Sequence, residues 1–256
     1  MTLIWRPGYI TTFADPDVQS YLTRVEEADN QGLEYPVAVA IDEFIRGCKA
    51  DGIWNAIKAS CILAGARTLA GALVPLVGAA PTNFNFVAGD YNRKTGLVGN
   101  GSTKYLDSNR NNNADPRDSK HVAAYAVSIG SGGGRPFVAT AAGTGRTFIT
   151  DSVQVAVNRS AFSTAAAVVA PCLAGASRNS SATFDLRRND QTVSFTGVTS
   201  ETPLNQNLLV YRRSGATITE YSDARLAFYS IGESLNLALL DARITTLINR
   251  FAVVIP

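Results

Sequence analysis

Histidine and charge are what this 256-residue chain has least of: a single histidine, His121, and charged residues at only 17%. A lone histidine reads as a hydrogen-bonded structural residue. The cysteines are three, Cys48, Cys61 and Cys172, with no C-x-x-C spacing and an odd count, so they read as small buried hydrophobes. These shortages leave no complete catalytic or metal-binding constellation, and the expectation is a chain that is not an enzyme and holds no metal or cofactor. No stretch reaches the ~18 uninterrupted apolar residues of a membrane span, because residues 62–77 are broken by Gly65, Arg67, Gly71 and Pro75. Membrane insertion is therefore not expected. The opening residues lack the basic start and apolar run of a signal peptide, which predicts synthesis and folding in a cytoplasm. Basic and acidic side chains number 23 and 21, so nothing in the balance favours a nucleic-acid groove or an anionic membrane as partner. A surface this poor in charge points to cover by neighbours in a larger assembly.

What is present divides near residue 60. Leu3, Ile4, Trp5, Tyr9, Ile10 and Phe13 form an apolar arm without helical period, the candidate attachment segment. Asp15-Pro16 is a helix start, with a side-chain cap followed by a residue whose missing N–H costs nothing in the first turn. Val18, Tyr21, Leu22 and Val25 then share one helical face, and a second helix after Pro36 carries Val37, Ile41, Phe44, Ile45 and Cys48. Asp51 is expected to cap a short third helix with Ile53, Trp54 and Ile57. Residues 61–64 fit a strand or a helix equally well. Thr68 is expected to cap one further turn, and the Phe/Asn alternation of residues 81–86 suits an edge strand.

Beyond Gly96, short segments alternate with Gly- and Asn-rich turns, the spacing of an antiparallel sandwich. Strands are expected at 98–106, 121–129, 136–140, 147–150, 153–158, 182–187, 192–196, 207–211 and 225–231. Asn100-Gly101, residues 131–134, Asn189-Asp190 and Ser214-Gly215 read as turns. Asn236 then caps a closing helix, whose Leu237, Leu240, Ile244, Leu247 and Phe251 favour packing on the sandwich over a bundle between subunits.

The most polar loop, residues 109–118, supplies the candidate ligand loop Asn111, Asn112, Asn113, Asp115 and Asp118. Its oxygens are of the hard kind that hold calcium, yet the spacing and closing glutamate of a helix–loop–helix calcium site are missing. Tyr91, Tyr105, Tyr125, Tyr211, Tyr221 and Trp54 would stack on sugar rings if exposed, and would fill cores otherwise. Glu201, Glu220 and Glu233 lie in separate connections, where no carboxylate pair for glycoside hydrolysis can be placed from sequence.

Three stretches carry a resemblance: DGIWNAIKA from Asp51, GLVGNGSTKYLDSN from Gly96, and AFYSIGESLNLALLDAR from Ala227. Together they resemble the laminin-G-like, concanavalin-like domains of tailed-bacteriophage virion proteins, over about residues 36–256. The resemblance implies a mainly β, two-layer antiparallel jelly-roll sandwich with short N-terminal helices and a closing C-terminal helix. It would be organised as residues 1–60 for attachment or oligomerisation and residues 61–256 for the sandwich. It further implies a structural protein of the virion surface, in a tail fibre or tail tip, adhering to host-surface glycan. Such a protein would contact other virion proteins through its N-terminal arm and helices and form a homo-oligomer, a trimer being favoured. The alternatives are a head decoration or cement protein on the capsid and, behind it, a polysaccharide-degrading enzyme.

Overall fold

A computed structural model describes residues 12–131, 133–152, 154–214 and 219–256. Two helices come first, α1 (Pro16–Asp29) and α2 (Tyr35–Ala50). A 3-10 turn leads into β1 (Ile57–Ile62), followed by a single helical turn, α3 (Leu69–Ala72). The strands that follow are β2 (Thr82–Phe84), β3 (Tyr91–Asn92), β4 (Gly96–Val98), β5 (Tyr105–Asn111), β6 (Lys120–Ser128), β7 (Pro136–Ala139), β8 (Phe148–Thr150) and β9 (Gln154–Ala156). After them come β10 (Ser163–Thr164), β11 (Cys172–Arg178), β12 (Thr183–Arg188), β13 (Gln191–Thr196), β14 (Asn207–Val210), β15 (Arg212–Ser214), β16 (Thr219–Tyr221) and β17 (Arg225–Gly232). Helix α4 (Leu237–Val254) closes the chain.

All pairings are antiparallel. The larger sheet runs β13-β12-β11-β6-β17-β4-β3, with β1 also paired to β17; the smaller runs β10-β9-β8-β7-β14-β5-β2. A separate two-stranded ribbon is made by β15 and β16. The mainly β sandwich expected from the turn spacing is what the chain forms.

Strand periodicity then sets a third layer. Along β6, Val122, Ala124 and Ala126 face the smaller sheet and share a core with its Leu106, Phe137 and Val210. The intervening Ala123 and Tyr125 face the other way, into a core with α1, α2 and α4. The helices thus cover the outer face of the larger sheet. Phe44 of α2 meets Phe228 of β17 edge to face at 5.9 Å, and Leu237, Leu240, Ile244, Leu247 and Phe251 of α4 are buried in the same core. Gly65, at φ 86°, lies where any side chain would strike the Phe251 ring, 2.6 Å from an added Cβ. Phe13 donates its N–H to Gln19, and Lys49 binds Asp15 at 2.6 Å beside the Trp54 ring. The cap of α1 is tied to the end of α2 in this way.

Several expectations are corrected. Asp51 ends α2 instead of capping a third helix; Arg243 of α4 binds it, and Ile57 already belongs to β1. The strand placed at 98–106 is two strands in different sheets, because the Asn100-Gly101 turn falls inside it. A division at residue 60 would cut β1, which pairs with β17 from Ile57 to Ile62. Leu3, Ile4, Trp5, Tyr9 and Ile10 lie outside the described residues, so of the expected arm only Phe13 is placed.

Candidate functional site

The β2 and β15–β16 segments assemble an aromatic surface at the rim of the smaller sheet. Edge strand β2 pairs with β5 in a register that sets Phe84 directly opposite Tyr105. Cross-strand neighbours in such a pair are close enough for their rings to meet. The two rings stack at 4.3 Å with 3° between planes, and Phe84 keeps 37% of its surface exposed.

The ribbon brings the other half. After β14, Tyr211 takes φ 70°, which turns the chain out of the sheet; its buried hydroxyl donates to the Leu97 carbonyl at 2.6 Å. In the ribbon Arg212 lies opposite Tyr221 and Arg213 opposite Glu220. Because strand side chains alternate, these are the two faces of the ribbon. On one, Arg213 pairs with Glu220 at 2.7 Å and lies over Phe148. On the other, the Arg212 guanidinium sits 4.5 Å from the Tyr105 centroid and 5.6 Å from that of Tyr221. Since Phe84 already occupies one face of Tyr105, the guanidinium covers the opposite face. Tyr221 lies beside the guanidinium, its ring 6.2 Å from that of Tyr105 and tilted 59° to it, so the order is Phe84, then Tyr105, then Arg212 and Tyr221 side by side.

The Asn100-Gly101 turn buttresses this stack. The Gly99 and Gly101 amides donate to the carbonyls of Ala224 and Ser222, and the Ser222 amide donates to Tyr211. A side chain at Gly99 would lie 2.0 Å from the Ser222 carbonyl oxygen. The Asn100 carboxamide oxygen accepts from the amides of Ser102, Thr103 and Lys104, which fixes the return into Tyr105. Its amide group therefore serves the turn.

Of the polar loop, Asn112 and Asp115 are buried, Asn111 and Asp118 are half-buried and Asn113 is exposed. Asp115 is buried against Arg110 and Lys120; burial works to raise its pKa, but the two cations hold it below the usual carboxylate range. Asn112 donates to the Gly145 carbonyl and to Asn158, while Asn111 caps the following turn through Asn113 and bonds Asn205. Asp118 accepts from Ser200. Among the described residues no group of three or more His, Cys, Asp or Glu side chains is placed to hold a metal ion. His121 is fully buried, its ring nitrogens against the Glu233 carbonyl and the Ser230 hydroxyl. Burial lowers its pKa to about 4.

Of the tyrosines singled out from sequence, Tyr105 and Tyr221 meet in the stack, whereas Tyr125 and Tyr211 are buried and Tyr91 bonds the Ala66 carbonyl. The three glutamates are apart: Glu201 accepts from Gly145 and Ser160, Glu220 from Arg213, and Glu233 pairs with Lys58. Sequence reading passed over Phe84 as a site residue and Arg212 altogether. The Phe/Asn alternation flagged Phe84 as edge-strand, and an edge position is the signal that would have put it at a rim.

No protein-family model and no curated protein matches the chain. Solved structures that it resembles include the enzymatically active domain of tailspike protein 2 from bacteriophage CBA120. That pair shares 14% identity with a TM-score of 0.41, over 66% of this chain and 29% of that one. Another is a mutant of Trypanosoma rangeli sialidase displaying trans-sialidase activity, at 10% identity and TM-score 0.45, over 82% of this chain and 39% of that one. The chain thus spans well under half the length of either. The expectation of a chain without enzymatic activity is corrected by this finding, since both are described as enzymes. At such identities and TM-scores the likeness brings no particular reaction to this chain.

Proposed function

We propose that this chain is a tail-associated virion protein of a tailed bacteriophage that binds host-surface glycan through the Phe84–Tyr105–Arg212–Tyr221 stack. The phage assignment rests on the three sequence stretches that resemble virion sandwich domains, and the jelly-roll reading of the sandwich belongs to the same proposal. The glycan assignment rests on one observation, the exposed aromatic stack at a sheet rim. The C–H face of a pyranose carries partial positive charge and meets the negative face of an aromatic ring favourably, while the sugar hydroxyls stay in water. Phe84 offers such a face. Binding sites combine aromatic lining with a few fixed polar groups, and Arg212 is the polar group here.

The test is binding to an immobilised panel of bacterial surface polysaccharides. Phe84→Ser removes a side chain that is already over one-third exposed and is expected to weaken binding about tenfold, within the range that aromatic anchors contribute. Retained affinity in a folded Phe84→Ser protein would sink the assignment.

A further inference from the structure

We infer that the glycan taken by this stack is acidic, with a sugar carboxylate seated on the Arg212 guanidinium; this rests on the glycan reading above. Most arginines among the described residues have an acidic partner or a carbonyl acceptor. Arg225, for example, donates to the Gly96 carbonyl, Arg135 to the Tyr221 carbonyl, and Arg213 to Glu220. Arg212 has neither, and its Nε is buried without any acceptor. The acidic groups on the neighbouring segments do not pair with it. Asp90 holds Lys104, Asp107 takes Asn207, Asp223 takes the amide and hydroxyl of Ser131 through Oδ2 while its Oδ1 is buried without a partner, and Glu220 is on the far face of the ribbon. A cation packed beside two tyrosine rings with no counter-charge is a selective feature, because with its Nε buried the terminal N–H edge is the part left to meet a ligand. That edge has the planar fork that matches a carboxylate with two parallel hydrogen bonds.

The order of the stack gives the ligand a length. Phe84 and Arg212 are separated by the thickness of Tyr105, so the sugar on Phe84 and the carboxylate on Arg212 belong to neighbouring residues of one chain. Among the described residues Arg146 is the other arginine without an acceptor, but it lies over the buried Phe148 with no second ring and no exposed aromatic face beside it. The acidic sugar is therefore assigned to Arg212.

The experiment titrates the intact, isotope-labelled protein with oligosaccharides of hyaluronan, alginate and polygalacturonate, each beside its carboxyl-reduced form, at constant ionic strength. The readout is the Arg212 Nε–H resonance together with the affinity. An acidic oligosaccharide is expected to move that resonance and to bind about tenfold more tightly than its reduced form, as expected for a charge-assisted hydrogen bond. Arg212→Gln should abolish the preference while keeping the binding that Phe84→Ser removes. If reduced and acidic forms bind alike through Phe84, the acidic assignment falls and the glycan assignment stands. If no oligosaccharide of either kind perturbs the stack, both fall.

Discussion

His121 shows how a lone titratable residue writes itself into stability. Its imidazole is buried neutral between Glu233 and Ser230, and its pKa falls from 6.5 to about 4. A group depressed in the folded state stabilises it above the unfolded pKa and loses that contribution as pH falls toward the folded value. Unfolding stability should therefore drop by roughly 2 kcal/mol between about pH 7 and pH 5 from this residue alone, given ~1.4 kcal/mol per pH unit in that window. Urea unfolding of the wild type and of His121→Gln at both pH values checks it: the variant is less stable at the higher pH, and the gap should narrow at the lower. A gap that stays constant would mean that other groups carry the acid sensitivity. Sequence named this histidine as structural, and its burial bears that out. It could not show the depth of burial, because that depends on β6 lying between two layers.

At the scale of elements, the turn chemistry was the most readable part of the chain. Asn189 and Asp190 were expected to form a two-residue hairpin turn, and both have positive φ, 51° and 57°. Asp tolerates that region less well than Gly, so Asp190→Gly should stabilise the β12–β13 hairpin by about 0.5 kcal/mol, measured as a higher denaturant midpoint. Destabilisation would mean that the contact between Asp190 and Arg187 outweighs the backbone strain. What stayed hidden was β11. Its sequence, CLAGASR, has neither the alternation nor the β-branched residues of a strand, because all seven residues are buried between the helical layer and the second sheet. A strand covered on both faces loses the period that would announce it. The aromatic stack was half legible for a related reason: Tyr105 and Tyr221 were visible as tyrosines in strands. Their meeting with Phe84 and Arg212 depends on two registers, β2 on β5 and β15 on β16, and on the packing of those two pairs against each other across over a hundred residues of sequence.

For the molecule as a whole, the three layers decide what can be removed. The sequence division at residue 60 treats the N-terminal helices as an appendage, yet α1 and α2 share a core with Phe228, Tyr125 and Ala227 of the larger sheet. Truncation before Ile57 would uncover that face while α4 remained across part of it. The truncated chain is expected to bind a hydrophobic dye and to aggregate, as apolar sheet surface does when stripped of its cover. A monomeric, cooperatively folding 57–256 fragment would show instead that the helices are dispensable.

The placement of Trp54 has a spectroscopic consequence. The chain has two tryptophans, Trp5 and Trp54, both before the first strand, and Trp54 sits beside Lys49 in the helical layer. The aromatic stack at the opposite sheet's rim contains only phenylalanine and tyrosine. The fluorescence of Trp54, isolated by Trp5→Phe, would therefore follow the docking of the helices and remain blind to a ligand on the stack. The asymmetric ring environment of Tyr105 and Tyr221 would appear in near-ultraviolet circular dichroism, so one sample carries two separate optical reporters for its two sides.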